Sequence, residues 1–307
     1  MIATKAEQEE RDLPTRLWQR VTRGGMMSRD MNDSDSINGP QAGNEASGAV
    51  RARLSFVEQG LARPKFHNLD PQRDTVQTAE HDVLIHDASA LPDPAHLEEQ
   101  GFAVSAWPTA LERFSNDGDT PLFYAAEIER LIRSLTGAAS VWVPPVLLVR
   151  SADCSQAERS RAEQPIRMVH SDYAESTFLK HLSSLGAAGK GGRYAAYNIW
   201  RSLRPPPQDL PLALCDARTV DPGDAVVAEA VSADGVEEFL LYSYSARQRW
   251  YFFPDLRPDD VVVFKAFDTE QGRPGPVPHS AFVDERYHLA IPPRQSVDIR
   301  AFAYFPS

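Results

Sequence analysis

Cysteine is scarce in this chain. Only two of its 307 residues are cysteines, Cys154 and Cys215, and their spacing does not match a metal-binding pattern. Small secreted domains that depend on disulfide bonds contain many more cysteines. The sequence therefore predicts neither a disulfide framework nor a zinc site, and it favours a reducing compartment, the cytoplasm.

Long apolar runs and an excess of positive charge are also missing. No stretch of about 18 apolar residues occurs, and the N-terminus lacks the apolar core of a signal peptide. The chain has 32 basic and 43 acidic residues, whereas a protein that binds nucleic-acid phosphates needs a basic face. We therefore expect no membrane and no nucleic-acid partner. A soluble enzyme with a small-molecule substrate fits better, and its oligomeric state is left open.

Apolar residues are nearly absent from the end of the N-terminal segment. Residues 26–48 are rich in Ser, Asn, Asp and Gly. Such a composition cannot bury enough apolar surface to offset the entropy lost on ordering. We predict that residues 1–48 form a disordered tail and that residues 49–307 form one folded domain, for which a hydrophobic content of 42% supplies a sizeable core.

The folded part is expected to contain many strands and few helices. Residues 120–137 have the apolar spacing of a helix that ends at Gly137, and residues 174–185 have a second helical stripe. Residues 92–100 are expected to start another helix. Strands are predicted where apolar and polar residues alternate between turn clusters, at 81–86, 164–169, 193–200, 212–216, 224–231, 238–245, 249–253, 260–267 and 296–305. This pattern predicts a mainly β fold with flanking helices, a barrel or sandwich of the jelly-roll kind.

The tripeptide His170-Ser171-Asp172 is a candidate metal-binding motif. Side chains two apart on a strand share a face, so His170 and Asp172 would point to one place. Together with His279 they would give Fe(II) two imidazole nitrogens and one carboxylate, with the opposite coordination face open. His-x-Asp is common by chance, and a surface pair at a strand end is the alternative interpretation.

The last predicted strand has one polar face, formed by Arg294, Ser296, Asp298 and Arg300. If this face points into the barrel, Arg294 can bind the distal carboxylate of 2-oxoglutarate through two parallel N–H bonds, with Ser296 adding a hydroxyl. Asp298 would then hold Arg300 in place. If the face points to solvent, it is only a polar edge. Arg300 is a second candidate for the anchor, because spacing does not decide between the two arginines.

Four further residues are candidates for substrate contacts. Asn198 and Trp200 alternate on one face of a predicted strand, Arg201 comes next, and Tyr173 follows Asp172 directly. An amide and an aromatic side chain beside iron would orient a ligand. Core packing of Trp200 and a strand-end hydrogen bond of Asn198 are the alternatives.

Two other patterns are less persuasive. His96 and Glu98 have the spacing of metal ligands, but side chains two apart diverge on the helix expected there. Cys215 has no histidine near it in the sequence and lies in an apolar stretch, so we expect a buried, unreactive thiol.

Taken together, several stretches of the chain resemble the hydroxylase/desaturase family of Fe(II)/2-oxoglutarate-dependent oxygenases. The family includes fungal gibberellin-type desaturases, an endoperoxide-forming meroterpenoid oxygenase and an accessory subunit of the cephamycin methoxylase. The resemblance extends from about residue 50 to the C-terminus. Its matching stretches are HDVLIHDA (81–88), TGAASV (136–141), VHSDYAE (169–175), NIWRSLRPPPQDLPLALCDARTV (198–220), WYFFPDLRPDDVVVFKAFDT (250–269), VPHSAF (277–282) and PRQSVDIRAFAYF (293–305).

This resemblance implies a double-stranded β-helix of the cupin type that uses Fe(II), 2-oxoglutarate and O2. It implies hydroxylation or desaturation of a small secondary metabolite, with release of succinate and CO2. Carried over residue by residue, the iron ligands fall on His170, Asp172 and His279, and the 2-oxoglutarate anchor falls on Arg294 with Ser296. Because the family contains an accessory subunit, a non-catalytic partner is one alternative. A metal-dependent isomerase or dioxygenase that does not use 2-oxoglutarate is another.

Deletion of residues 1–48 should leave the melting temperature and the turnover rate nearly unchanged. The physical reason is that this segment has few apolar side chains with which to pack on the folded domain. Thermal unfolding and succinate release of the shortened and full-length proteins would be compared. A large drop in melting temperature would show that the segment docks on the domain, and the predicted boundary would then be wrong.

Overall fold

The structure is a computed structural model that describes residues 48–67, 70–152, 164–187, 189, 191–232, 235–288 and 290–307. Nearly all of the expected N-terminal tail, and Cys154, lie outside the described residues. The boundary at residue 48 and the single folded domain therefore stay predictions.

Fifteen strands and two α-helices make up the described part of the chain. The strands are β1 (Val50–Val57), β2 (Lys65–His67), β3 (Thr78–Asp87), β4 (Phe102–Ala106), β5 (Ser140–Trp142), β6 (Leu148–Ser151), β7 (His170–Ser171), β8 (Arg193–Ser202), β9 (Leu212–Cys215), β10 (Ala225–Ser232), β11 (Gly235–Tyr242), β12 (Trp250–Phe252), β13 (Asp260–Asp268), β14 (His279–Ala281) and β15 (Gln295–Phe305). The helices are α1 (Thr120–Thr136) and α2 (Glu175–Ser184).

The strands form two sheets. The larger has the order β1-β3-β12-β9-β14-β7-β11-β10-β2, and the smaller has the order β4-β13-β8-β15-β5 with β6 also paired to β15. Most neighbouring strands run antiparallel. The mainly β, jelly-roll fold predicted from the strand pattern is confirmed. No helix in the described ranges is long and apolar enough to cross a membrane.

Helix α1 covers the outer face of the smaller sheet. Its buried stripe, which includes Ile128, Leu131 and Ile132, packs against alternate residues of β15 such as Val297 and Ile299. Gly137 ends the helix in the left-handed conformation, with φ 69°, and its N–H donates to the carbonyl of Arg133. Glycine adopts this conformation without a Cβ clash, which explains why the sequence predicted the helix end correctly.

Between the sheets lies a second apolar cluster. It contains Phe102, Trp200 and Phe264 from the smaller sheet and Leu214 and Tyr251 from the larger sheet. Because successive side chains of a strand point to opposite faces, one strand supplies both clusters. On β8, Ile199 packs toward α1 and Trp200 packs toward the interior.

Two predicted elements are wrong. Residues 164–169 form no strand, since Met168 makes only an isolated bridge to Ser55 and regular pairing begins at His170. Residues 92–100 do not start a helix, and their last four residues, 97–100, form a turn. The turn is fixed by side-chain bonds, because the backbone N–H of His96 donates to the Gln100 side chain at 2.8 Å.

The same turn carries Glu98 into a buried network of charges. The Lys265 ammonium is fully buried and donates to Glu98 Oε2 at 3.0 Å and to Asp268 Oδ2 at 2.8 Å. Arg193 donates to the same two carboxylates. The network connects β8, β13 and the 97–100 turn, so it fastens one end of the smaller sheet.

Lys265→Met should lower the free energy of unfolding by about 3 kcal/mol. The substitution keeps an unbranched apolar chain but leaves the buried Asp268 carboxylate without one of its two cations, and breaking a buried pair from one side costs about 3–5 kcal/mol. Urea unfolding would measure the change. Lys180→Met is the matched control, because Lys180 is half exposed and its pair with Glu237 should contribute less than about 1 kcal/mol. Equal effects of the two substitutions would contradict this account.

Candidate active site

A cavity opens between the two sheets, and its empty space, including the part that is open to solvent, is about 380 Å3. Its lining combines potential metal ligands, arginines and apolar side chains. The lining residues are Arg150, Ile166, His170, Asp172, Asn198, Trp200, Leu212, Phe264, His279, Ala281, Arg294, Asp298 and Arg300.

Strand pairing brings the two histidines of this cavity together. His170 on β7 and His279 on β14 are direct cross-strand partners, and such partners point to the same face of a sheet. Their ring centroids are 4.3 Å apart. Asp172 lies just beyond the end of β7, two residues from His170, and joins them. The potential ligand atoms of the three residues lie within 4.8 Å of one another, so a single ion can contact all three.

Both imidazoles are held in the form that a metal requires. Nδ1 of His170 lies 2.8 Å from the carbonyl oxygen of Met168, and Nδ1 of His279 lies 3.0 Å from that of Val277. A carbonyl only accepts, so each Nδ1 carries the proton and each Nε2 keeps its lone pair. Burial, together with the neighbouring His170, lowers the pKa of His279 to about 3, and burial also lowers the pKa of His170. Neutral imidazoles at physiological pH are therefore expected.

The carboxylate of Asp172 is held from two sides. Arg300 Nη2 donates to Oδ1 at 2.9 Å, and Asn198 Nδ2 donates to Oδ2. Burial alone would raise the pKa of Asp172, but the charge of Arg300 keeps it well below its usual range. Asp172 is therefore ionised.

The Arg294 guanidinium is buried in the cavity wall and makes no ion pair among the described residues. Its Nε and Nη2 donate to Ser296 Oγ at 3.3 and 3.2 Å, and Nη1 donates to the carbonyl of Leu210 at 2.8 Å. The guanidinium carbon lies 4.9 Å from the centre of the Trp200 ring. A guanidinium has five N–H groups, so one N–H on each terminal nitrogen is left for a ligand. Burial lowers the pKa of Arg294 to about 10, although the nearby charges of Asp298 and Asp209 act in the opposite direction.

The expected pairing of Asp298 with Arg300 stays a prediction, and each of the two side chains has a further partner. Asp298 accepts from Arg150 Nε at 3.2 Å, whereas Arg300 reaches across the cavity to Asp172. Arg150 lies on β6, which pairs with β15 beside Ser296. The sequence did not point to Arg150, because β6 has only four residues and so shows no clear alternation, and its pairing with β15 leaves no signal in the sequence.

Two candidate substrate residues do not line the cavity. Arg201 has the strand parity of Ile199 and therefore points to α1, where it donates to the Tyr124 hydroxyl and to the carbonyls of Pro258 and Trp107. Tyr173 is buried against Phe302 in a separate apolar cluster. Both expectations are corrected, whereas Asn198 and Trp200 do line the cavity.

The other patterns behave as follows. Glu98 is occupied by Lys265, Arg193 and Arg273, and within the described part of the chain the one group of three potential metal ligands is the set of His170, Asp172 and His279. Cys215 is fully buried, and burial raises the pKa of its thiol to about 12. The expectation of an unreactive thiol agrees with both observations.

The residues of the cavity suit Fe(II) and 2-oxoglutarate. Two unprotonated Nε2 atoms and one carboxylate are the donor set of non-haem iron sites with open coordination positions. The two open N–H groups of Arg294 match a carboxylate. The formal charges of Arg150, Arg294 and Arg300 against Asp172 and Asp298 leave an excess of +1 before any metal binds, so an anion is needed to balance the occupied site.

Comparison with known proteins finds relatives whose names agree with the donor set of this cavity. A family model described as "Oxidoreductase/YMDC permease-like domain" matches residues 55–304. The Fe(II)/2-oxoglutarate-dependent dioxygenase nvfI of Aspergillus novofumigatus is 28% identical over 272 residues, which cover 82% of this chain and 96% of that protein. The hydroxylase/desaturase asaB of Aspergillus flavus is 34% identical over 128 residues, 37% of this chain and 56% of that protein.

A solved structure shares the fold. The iron and alpha-ketoglutarate-dependent endoperoxidase NvfI superimposes with a TM-score of 0.73 at 24% sequence identity, and the match covers 85% of this chain and 100% of that one. The chain belongs to the family described as the oxidoreductase/YMDC permease-like domain, and it is an Fe(II)/2-oxoglutarate-dependent dioxygenase of the hydroxylase/desaturase kind.

Proposed function

We propose that His170, Asp172 and His279 bind the catalytic iron and that Arg294, supported by Ser296, binds the distal carboxylate of 2-oxoglutarate. The observation that carries the second assignment is a buried guanidinium that lines the same cavity as the three ligands and has no ion pair among the described residues. Arg300 is less suited to this role, because it already pairs with Asp172.

Ser296 and Trp200 prepare Arg294 for this role. Ser296 Oγ accepts two N–H bonds from the guanidinium, so its own hydroxyl proton is free to donate to an incoming carboxylate. The Trp200 ring lies 4.9 Å from the guanidinium carbon, within the range of a cation–π contact that favours this position of the side chain. A guanidinium group that is already held in place loses little conformational freedom when it binds an anion.

The substrate, in this proposal, is a small secondary metabolite that is hydroxylated or desaturated in the cytoplasm. The relative named as a hydroxylase/desaturase supports a reaction of this type. Ile166, Leu212, Phe264 and Ala281 give the cavity an apolar wall beside the triad. Such a wall can hold a hydrocarbon skeleton against the reaction centre.

The iron, with 2-oxoglutarate and O2, supplies the oxidation of an unactivated C–H bond. The protein's own contribution is positioning. His170 and His279 keep neutral Nε2 atoms toward the cavity, Asp172 adds a negative charge, and the apolar wall excludes water from the reacting carbon.

His170→Ala, Asp172→Ala and His279→Ala should each abolish tight Fe(II) binding while leaving the protein folded. Each removes one of three ligands, and the two that remain coordinate too weakly to hold the ion. Anaerobic Fe(II) titration would measure the loss, and circular dichroism would check the fold. A variant that keeps stoichiometric iron would remove its residue from the ligand set.

Arg294→Leu should raise the apparent KM for 2-oxoglutarate about a hundredfold or more, because a bidentate charge-assisted pair in a desolvated site is lost. Arg300→Leu should change this KM far less, provided that iron is saturating. Succinate release would be followed over a range of 2-oxoglutarate concentrations, with iron occupancy measured in both variants. Arg294→Lys is the matched control, since it keeps the charge without the fork and should give an intermediate KM. A larger KM increase in Arg300→Leu would transfer the anchor to Arg300.

A further inference from the structure

Asn198 and Arg300 contact the same carboxylate from neighbouring strands. They are direct cross-strand partners on β8 and β15, so their side chains project side by side from the smaller sheet. Asp172 follows β7 of the larger sheet. Both side chains are buried or nearly so, and each reaches a different oxygen of Asp172. The two bonds therefore connect the sheets at the point where the potential ligands meet.

The orientation of the Asn198 amide follows from its partner. A carboxylate only accepts hydrogen bonds, so the amide nitrogen must face Asp172 Oδ2. Arg300 donates to the other oxygen, Oδ1, at 2.9 Å. With one donor on each oxygen, rotation of the carboxylate about its last side-chain bond would break both contacts. Asp172 is thus held in a single orientation.

We propose that Asn198 and Arg300 are positioning residues that preset the carboxylate of Asp172 for metal binding. This inference rests on the proposed role of Asp172 as a metal ligand. A carboxylate oxygen that accepts one hydrogen bond still has a lone pair with which to coordinate an ion. Held from both sides, Asp172 presents that lone pair toward Nε2 of the histidines and does not swing into a two-oxygen mode, which would fill one of the open coordination positions.

Two effects of Arg300 on the metal oppose each other. Its positive charge repels a divalent ion and draws electron density from the ligand, which weakens binding. Its hydrogen bond fixes the ligand, which strengthens binding. Residues that orient a metal ligand in this way commonly contribute about 10- to 100-fold in metal affinity. Asn198 donates a comparable hydrogen bond but carries no charge. Its substitution therefore tests the orienting effect without the effect of charge.

The test is calorimetric titration of the metal-free protein with Mn(II), without 2-oxoglutarate. Asn198→Ala and Arg300→Gln are each expected to weaken Mn(II) binding at least about tenfold. Arg300→Lys keeps a positive charge and a hydrogen-bond donor on a single nitrogen. It should therefore recover part of the Mn(II) affinity that Arg300→Gln loses. Lys180→Met, which changes a half-exposed side chain that does not line the cavity, is the control and should keep the affinity of the unaltered protein.

Further measurements separate positioning from a general structural defect. The dissociation constant for 2-oxoglutarate at saturating Mn(II) should change little in Asn198→Ala. The visible absorption of bound Co(II), which depends on coordination geometry, should differ from that of the unaltered protein in both positioning variants. If Arg300→Gln does not fold, Asn198→Ala decides alone.

Unchanged Mn(II) affinity in Asn198→Ala, or tighter binding in Arg300→Gln, would overturn the positioning role. A normal Mn(II) affinity in Arg300→Gln with a large loss of 2-oxoglutarate binding would make Arg300 an anchor instead. His170→Ala and His279→Ala are measured in parallel. If they too keep Mn(II), the proposed metal site itself fails; if only they lose it, the positioning role alone is wrong.

Discussion

The site depends on the alternation of side chains along β8 and β15. Odd-numbered residues of both strands, such as Ile199 and Ile299, form the core beneath α1, whereas even-numbered residues, such as Asn198 and Arg300, face the cavity. Apolar burial on one face holds the two strands in register, and that register brings Asn198 and Arg300 side by side on the other face. The chemistry of the cavity is therefore positioned by packing on the opposite side of the sheet.

The same constraint explains why so many charges can be buried in one small space. Arg150, Asp172, Asp298 and Arg300 form two ion pairs whose members come from different strands or segments, so each pair also connects parts of the barrel. An isolated charge in this setting would cost several kcal/mol. Pairing removes most of that cost. Arg294, whose guanidinium has no ion pair among the described residues, is the cation for which we proposed an anionic ligand.

Local sequence patterns predicted the helices and strands whose positions depend mainly on local interactions. The spacing of apolar residues and Gly137 defined α1 almost to the residue, and alternation located β8, β13 and β15 within a few positions. The candidate ligands His170 and Asp172 were found because a two-residue spacing has a geometric meaning on a strand. Short strands such as β6 were missed, because four residues are too few to show a period.

Partner choice could not be predicted in this way. Asp298 and Arg300 are near neighbours on one face of β15, and their sequence separation suggested a pair. Each of them also has a partner from another part of the barrel, which the sequence did not indicate. Those partners, Arg150 and Asp172, are more than a hundred residues away along the chain. Which of several acidic groups an arginine meets is decided by sheet pairing and by the space between the sheets, and neither is encoded in a short window.

Arg201 and Arg294 differ in a way that separates a structural cation from the proposed ligand-binding one. Both side chains are buried, and neither has an ion pair among the described residues. Arg201 points to α1 and is held there by two backbone carbonyls and a tyrosine hydroxyl, so it closes the packing between helix and sheet. Arg294 lines the cavity that contains the triad. Burial without an anion is therefore not sufficient evidence for a binding site. What matters is the face of the sheet to which the guanidinium points. Neighbouring positions on a strand point to opposite faces, so a shift of one residue exchanges the cavity face of the smaller sheet for the face that packs on α1.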